Sequence, residues 1–296
     1  MRHHLDSFGK QGEGGVRSHV AALGFNYGLT DRLTFDADIP YVASRYRGSS
    51  PHVPEVGLHG GFERPFIDDG NFHGVFQDFR FNLRYNALRD PVVLTPAVAV
   101  AVPSHRYATF GHANFGRDLR EYRVGFHLGR QFRPFLPRAY ADLAYTYAFV
   151  EKLAGFDLDR SNVEVEVGYF LRSNLVLRGF GGVQKSHGGL ENSPNFPIEF
   201  ISIHDRLWRA HWSRLGGGAT FSLSKNVDVF GAVVTNLSGK NAEAGTFLAF
   251  GVSWRFKKSA IEDMLPAGVL DKTSSAREPL RERLAAVTAQ ALTPWQ

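Results

Sequence analysis

The segment Asn162–Leu171, "NVEVEVGYFL", alternates between apolar and polar side chains at every position but one. In an extended strand, Val163 and Val165 point to one face of the sheet. Glu164 and Glu166 point to the opposite face. This strand has two carboxylates on one face and a continuous apolar row on the other. If its neighbours share this pattern, the two faces of the sheet differ in polarity, and this difference decides the fold.

The same two-residue period recurs along the chain, and it predicts eleven strands. Most of them have roughly nine to thirteen residues, which is the length that crosses a bilayer at a tilt. The predicted connections alternate between short and long, as in an up-and-down barrel with tight periplasmic turns and longer outer loops. The predicted strands are Ala21–Leu29, Leu33–Tyr41, Phe79–Tyr85, Leu94–Val102, Tyr122–Phe132, Ala139–Val150, Asn162–Leu171, Leu175–Lys185, Leu215–Leu223, Val227–Leu237 and Thr246–Phe256.

Charged side chains occupy the middle of these strands, on the face opposite the apolar row. A soluble barrel needs an apolar interior, so charges inside and apolar side chains outside indicate that the outside is lipid. The sequence therefore predicts an all-β transmembrane barrel, up-and-down and antiparallel, in the bilayer of a bacterial outer membrane. A soluble sandwich or a lipocalin-like barrel is the alternative. The predicted lumen-lining residues are Asp36, Asp38, Asp78, Arg80, Arg84, Arg123, His127, Asp142, Glu164, Glu166, Arg178 and Arg255.

The two ends of the chain extend the prediction. Single-chain bacterial barrels close with an even number of strands, so we expect about twelve, with a signal peptide and a first strand upstream of Met1. Residues 1–16 then form an outer loop or a truncated N-terminus, and residues 17–256 form the barrel. Residues 257–296 are predicted to be a periplasmic linker and a short amphipathic helix that begins at a capping box, Ser275 to Glu278. That helix docks under the barrel, binds a periplasmic partner or frays.

The last strand carries a glycine and two aromatic residues, Gly251, Trp254 and Phe256. This G-x-x-aromatic-x-aromatic spacing resembles the C-terminal signal that the barrel-assembly machinery recognises. We therefore expect that machinery as a partner. The aromatic side chains are expected at the periplasmic edge of the membrane.

Composition excludes several other classes of protein. The chain has 296 residues, a formal net charge of +5 and no cysteine, which removes thiol catalysis and disulfides. No run of about 18 apolar residues is present to form a transmembrane helix. The basic residues are not gathered into blocks, so no nucleic-acid partner is expected.

The chain also lacks the residue patterns of a metal site or a catalytic site. Of the twelve histidines, only His127 is predicted in mid-strand, and none has a spacing that suggests metal ligands. The outward faces lack the Ser and His arrangement of a barrel lipase. We therefore expect no enzyme activity, no metal and no cofactor. The stretch Trp208–Trp212 is interpreted as an aromatic belt at the outer rim.

Four stretches carry a resemblance to a known family. They are "YGLTDRLTFDADIPYV" (Tyr27–Val42), "FQDFRFNLRYNAL" (Phe76–Leu88), "PAVAVAVP" (Pro96–Pro103) and "RLGGGATFSLSKNVDVFGAVVTNLSGKN" (Arg214–Asn241). They resemble the outer-membrane transporter-like family associated with the meta-pathway of phenol degradation. The resemblance implies a barrel that passes solutes, and it supplies no catalytic residues.

The function expected from sequence is passive passage of small solutes, with aromatic or hydrophobic compounds suggested by the resemblance. The alternative is a closed structural or adhesive barrel whose outer loops bind partners. The long loops Ala43–His73 and Ser186–Trp212 fit either a constriction of the mouth or a partner-binding surface. The solute, the openness of the lumen and the oligomeric state are left open.

Overall fold

The computed structural model describes residues 14–48, 67–191, 193, 196–242 and 244–256. They form one curled antiparallel sheet in which successive strands along the chain are neighbours. This confirms the predicted all-β, up-and-down antiparallel barrel. The strands are β1 (Gly15–Gly28), β2 (Leu33–Arg47), β3 (His73–Phe76), β4 (Phe79–Tyr85), β5 (Val93–Val102), β6 (Glu121–Phe132), β7 (Leu136–Val150), β8 (Arg160–Arg172), β9 (Leu175–Ser186), β10 (His211–Ser222), β11 (Val227–Lys240) and β12 (Thr246–Trp254).

Eleven strands lie on one continuous path from β1 to β12, and β3 pairs with β2 beside this path. The eleven correspond to the eleven that the alternation predicts. The sheet ends at β1 on one side and at β12 on the other.

The strand β3 is absent from the sequence prediction, which assigned residues 43–73 to a loop. The first half of β2 pairs with β4, from Leu33 to Asp38, while Tyr41–Ser44 pairs with β3. Between these two ladders lies Pro40, which has no N–H to donate to a neighbouring strand. Only its carbonyl is used, by the backbone N–H of Gln77 at 3.0 Å. One strand is thus interrupted opposite the proline, and its two parts are β3 and β4.

The strands β1 and β2 also extend further toward the outer end than predicted. Their ladder runs as far as Gly15 opposite Arg47. The hydroxyls of Ser18 and Ser44 lie 2.9 Å apart across this extension. Val42 and Tyr46 are buried in a cluster with Ile67 from the following loop segment, so packing stabilises a stretch whose own alternation is weak.

The outer face of the sheet is apolar and exposed. Along β12, Leu248, Phe250, Val252 and Trp254 are between 65% and 79% exposed. A large apolar side chain this exposed on every second residue is unfavourable in water and favourable against lipid. The inner face of the same strand carries smaller or half-buried side chains.

Glycines on the inner face leave room for aromatic rings on neighbouring strands. A Cβ added at Gly168 would lie 2.1 Å from the ring of Tyr140. A Cβ at Gly251 would lie 2.3 Å from the ring of Phe230. The glycine of the predicted assembly signal therefore has a packing role on the lumen face, whatever its part in assembly.

No helix in the described ranges has the length and hydropathy needed to span a membrane. The helical content is small: a 3₁₀ turn at Ile198–Ile203 leads into α1 at His204–Leu207. The predicted helix that begins near Ser275, and the rest of 257–296, lie outside the described residues, as do residues 1–13.

Candidate functional site in the barrel lumen

The inner face of β5 is lined by alanines, and this opens space for charged side chains on both sides. Ala97, Ala99 and Ala101 stand opposite residues of β4 on one side and β6 on the other. Because a methyl group is short, long side chains of β4 and β6 can extend over β5. The sequence "PAVAVAVP" thus determines where the charged groups of the wall meet.

On the β1–β4 side, Asp36 is held by several donors. Arg84 donates to its carboxylate through two nitrogens, at 2.7 and 2.8 Å. Asn82 donates at 3.2 Å, and the amide of Asn26 completes the group. A carboxylate with a bidentate arginine and two amides is fully satisfied, so this part of the wall is rigid.

At the outer end of the lumen, Glu121 pairs with two arginines. Arg123 donates to its Oε2 atom at 2.6 Å, and Arg160 donates to its Oε1 atom. Glu121 and Arg160 are each about 4% exposed. Arg80 of β4 shares the cross-strand row of Glu121, with Ala101 between them.

Further along the barrel wall, two carboxylates of β8 have one arginine each. Arg214 donates to Glu164 at 2.6 Å. Arg178 lies 3.4 Å from Glu166, whose other oxygen accepts a 2.6 Å hydrogen bond from the hydroxyl of Tyr140. Removing one partner of such a buried pair costs about 3–5 kcal/mol, because the other charge remains buried.

The one mid-strand histidine that the sequence singles out contacts a carboxylate. Nδ1 of His127 lies 3.4 Å from Oδ1 of Asp142 on the adjacent strand. Both side chains are partly exposed. Asp38 stands opposite Arg80 in the ladder of β2 and β4.

Two predicted lumen residues lie outside the strands. Asp78 was predicted to face the lumen from a strand, but it lies in the break between β3 and β4, where its carboxylate accepts a 2.5 Å hydrogen bond from Tyr107. Arg255 follows β12, and its guanidinium donates to the carbonyl of Lys225 in the turn before β11. Arg255 thus fastens the periplasmic end of the last strand to the neighbouring turn.

The interpretation of Trp208–Trp212 as a rim belt is wrong for Trp212. Its side chain is 6% exposed and lies under the guanidinium of Arg214, 4.4 Å from the ring centroid. Its cross-strand partner is Gln184, which belongs to the inner face. A cation–π contact inside the lumen accounts for its burial.

The inner face between β9 and β12 carries an apolar cluster. Phe180, Ala232 and Val234 are buried in it, and Phe247 and Ala249 pack against them. Buried polar side chains share this face, among them Arg178, Thr220 and Asp228.

At the outer end of the sheet, two segments bind one another. We call them the mouth latch, and they are residues 103–120 and residues 196–210. Arg206 donates to the carbonyls of Arg117 and Asp118, at 2.6 and 2.8 Å. Arg117 donates in return to the carbonyl of Trp208 at 2.8 Å. Leu207 is completely buried in this region.

A histidine and an aspartate complete the mouth latch. Asp205 accepts a hydrogen bond from the backbone N–H of Gly111 at 2.9 Å and lies 3.1 Å from Nε2 of His204. Nδ1 of His204 faces the carbonyl of Ile201 at 2.5 Å. Burial lowers the pKa of His204, but the hydrogen bonds and charge of Asp205 and the carbonyl outweigh it, so the pKa is raised above 6.5. Both ring nitrogens face acceptors, which is the arrangement that the protonated ring satisfies.

Solved structures share this fold, while no family model and no curated protein matches the chain. An outer membrane channel of Pseudomonas putida F1 aligns with a TM-score of 0.53 at 14% identity, covering 79% of this chain and 81% of that one. The NanC porin aligns at 0.48 and 9% identity, over 82% of this chain and 97% of its own. The KdgM porin aligns at 0.47 and 8% identity, over 83% and 96%. The fold is that of outer-membrane β-barrel channels.

Sequence reasoning missed several charged residues of the wall, among them Glu121, Arg160 and Arg214. Glu121 and Arg214 lie one residue before the predicted start of their strand, and Arg160 lies two residues before. Extending the two-residue period would have found Glu121, because it shares the face of Arg123 and His127. No metal-binding group of three or more side chains is present in the described part of the chain.

Proposed function

We propose that the chain is a β-barrel channel of the bacterial outer membrane, through which small solutes pass passively. The observation that carries the proposal is the inverted polarity of the sheet. Phe250 on the outer face is 79% exposed, while Arg178 and Glu166 on the inner face are 4% and 3% exposed. A protein in water gains by the opposite arrangement, and a barrel in lipid gains by this one.

The lumen supports selection of the solute by charge and shape. Ion pairs on one wall create fixed local fields, and such charged linings decide which ions or dipoles pass. The apolar cluster of Phe180, Ala232 and Val234 adds hydrocarbon side chains to the inner face. An inner face that has both charged and apolar side chains fits an amphiphilic small molecule.

The finer part of the proposal is that the solutes are aromatic or hydrophobic compounds, as in the degradation of phenol. It is supported by the sequence resemblance and by the apolar cluster on the inner face. No nucleotide-binding loop occurs in the sequence, so passage follows the concentration gradient.

A second candidate function is a closed barrel whose outer loops bind partners. The mouth latch favours it, because hydrogen bonds between residues 103–120 and 196–210 hold loops across the outer end. Under this reading the ion pairs serve to fill and stiffen the barrel.

Conductance in planar bilayers separates the two functions. The test uses two tryptophan substitutions on adjacent residues of β5, Ala99→Trp and Val98→Trp. Ala99 faces the lumen, whereas Val98 faces outward and is 53% exposed. For a channel, Ala99→Trp lowers the single-channel conductance and Val98→Trp leaves it unchanged. A folded wild-type barrel that gives no channel events contradicts the channel and supports the closed barrel.

The solute class is tested by blocking the ion current. Phenol is expected to reduce the current at lower concentration than cyclohexanol, which has the same size and hydroxyl without the aromatic ring. Equal block by the two compounds contradicts the preference for aromatic solutes. Fractionation of the membranes that contain the protein tests its location.

A further inference from the structure

Four arginines gather at the outer end of the lumen, where the mouth latch meets the strands. They are Arg80, Arg117, Arg123 and Arg160, and together with Glu121 at their centre we call them the arginine cluster. They come from β4, the loop before β6, β6 and β8. Residues so distant along the chain meet only because the sheet curls.

The carboxylate of Glu121 is shared by two members of the cluster. Its Oε2 atom accepts from Arg123, at 2.6 and 3.0 Å, and its Oε1 atom accepts from Arg160. Other lumen carboxylates also pair with arginine: Asp36 with Arg84, Glu164 with Arg214 and Glu166 with Arg178. At Glu121, two guanidinium groups meet on one carboxylate.

Arg80 adds a third guanidinium to the same place. Arg80 lies directly opposite Ala101 of β5, and Ala101 lies directly opposite Glu121 of β6. Ala101 is 2% exposed. The charges that act on Arg80 are those of Arg123, Glu121, Asp78 and Asp38. With Arg117 and Arg160, four arginines gather around Glu121, and Asp78, Asp38 and Asp118 lie at their edge.

Arg117 supplies a hydrogen-bond donor that lacks an acceptor. Its Nη2 atom donates to the carbonyl of Trp208 at 2.8 Å, whereas its Nη1 atom is buried and has no hydrogen-bond partner. The neighbouring charges are Arg160 and Glu121. A buried guanidinium nitrogen without an acceptor is costly, and an anion would satisfy it.

We infer that the arginine cluster binds the carboxylate of a small organic acid, with Nη1 of Arg117 as one donor. A guanidinium presents its N–H groups in a planar fork that matches a carboxylate. The site deepens the proposed function and rests on it for the route by which the acid arrives.

Calorimetric titration of the folded protein in detergent micelles tests the site without any ion current. The probe is benzoate, and benzamide serves as its neutral counterpart of the same shape. Benzoate is expected to bind and benzamide to bind at least about tenfold more weakly, because a charge-assisted hydrogen bond is lost. Binding of the two with equal affinity overturns the inference.

Two arginine substitutions with the same change of charge locate the site. Arg117→Gln removes the open donor and is expected to weaken benzoate binding about tenfold or more. Arg120→Gln is the matched control, because Arg120 lies three residues away with an exposed side chain, and its affinity should stay within about twofold. If both substitutions weaken benzoate binding equally, the attraction is a diffuse effect of net charge, and the inference of a specific site is overturned.

Further arms keep the inference testable. If Arg117→Gln fails to fold, Arg117→Lys retains the charge and loses the fork, and an unchanged affinity there overturns the role of Arg117. Phosphate that competes as well as benzoate overturns the assignment to carboxylates. A protein that binds benzoate and does not conduct contradicts the proposed channel while leaving the site intact, and one that conducts and does not bind contradicts the site alone.

Discussion

Replacement of Phe250 by arginine tests whether the outer face of the barrel lies in lipid. Phe250 is the middle residue of β12, which runs from Thr246 to Trp254, and its side chain is 79% exposed. Nine residues are about enough for a tilted strand to cross the hydrocarbon layer, so the middle residue lies close to its centre. Phe250→Arg then places a charge in the most apolar part of the membrane.

The size of the effect is obtained by comparing Phe250→Arg with Phe250→Ala. Both substitutions lose the phenylalanine ring, which is worth about 1.5–3 kcal/mol when it is removed from water. Only the first adds a charge, which costs about 2–4 kcal/mol at the centre of the bilayer. The free energy of unfolding of the arginine variant should therefore be lower than that of the alanine variant by about 2–4 kcal/mol.

The assay is reversible unfolding in denaturant from lipid vesicles, followed by tryptophan fluorescence. Neither substitution removes a tryptophan, so all four tryptophans of the chain remain as fluorescence probes. If the outer face were in contact with water, arginine and alanine would differ by less than about 0.5 kcal/mol. A difference that small, or a more stable arginine variant, refutes the lipid-facing assignment of this strand.

Three further predictions concern the mouth latch and the inner face. Arg206→Ala removes two charge-assisted hydrogen bonds across the mouth latch. Amide hydrogen exchange in residues 103–120 should become faster, by an amount that corresponds to a loss of about 2–4 kcal/mol in the free energy of local opening. Unchanged exchange rates would contradict the latch. His204 has a raised pKa, so its protonation stabilises the mouth latch fully below pH 6.5, and this stabilisation is lost as the pH rises through the folded-state pKa. Amide hydrogen exchange in residues 196–210, corrected for its intrinsic pH dependence, should therefore accelerate as the pH rises through that value. His204→Phe should abolish this pH dependence. Gly168→Val brings a side chain against the ring of Tyr140, so the free energy of unfolding measured in denaturant should fall by about 1–3 kcal/mol. Adding Tyr140→Ala to the same chain should recover part of the lost free energy, because the clash with the ring is removed.

The fold was predictable because alternate side chains of a barrel strand face the lipid and the lumen, so the polarity of each residue shows which face it occupies. In β8, Glu164 and Glu166 are fixed on one face and Val163 and Val165 on the other by the pleat alone. The ladder registers keep each face continuous from strand to strand. Local sequence is therefore sufficient to establish the strands, their length and the side that faces lipid.

The exceptions to the predicted fold have physical causes beyond the local pattern. The break between β3 and β4 depends on Pro40, which lies on a different strand. The outer extension of β2 depends on packing of Val42 and Tyr46 against a loop. Trp212 looked like a membrane-surface residue, but the partner that buries it is Arg214 two residues away on the same inner face.

The sequence by itself determined that the chain is a sheet with a charged face and an apolar face, because strand geometry is set within a few residues. The tertiary structure alone decided which charges meet. Glu121 and Arg160 are 39 residues apart, and Arg206 contacts a loop about 90 residues before it. Such contacts depend on how the sheet curls and on how the loops fold over its end, and both follow from the sum of many cross-strand contacts that no short segment contains.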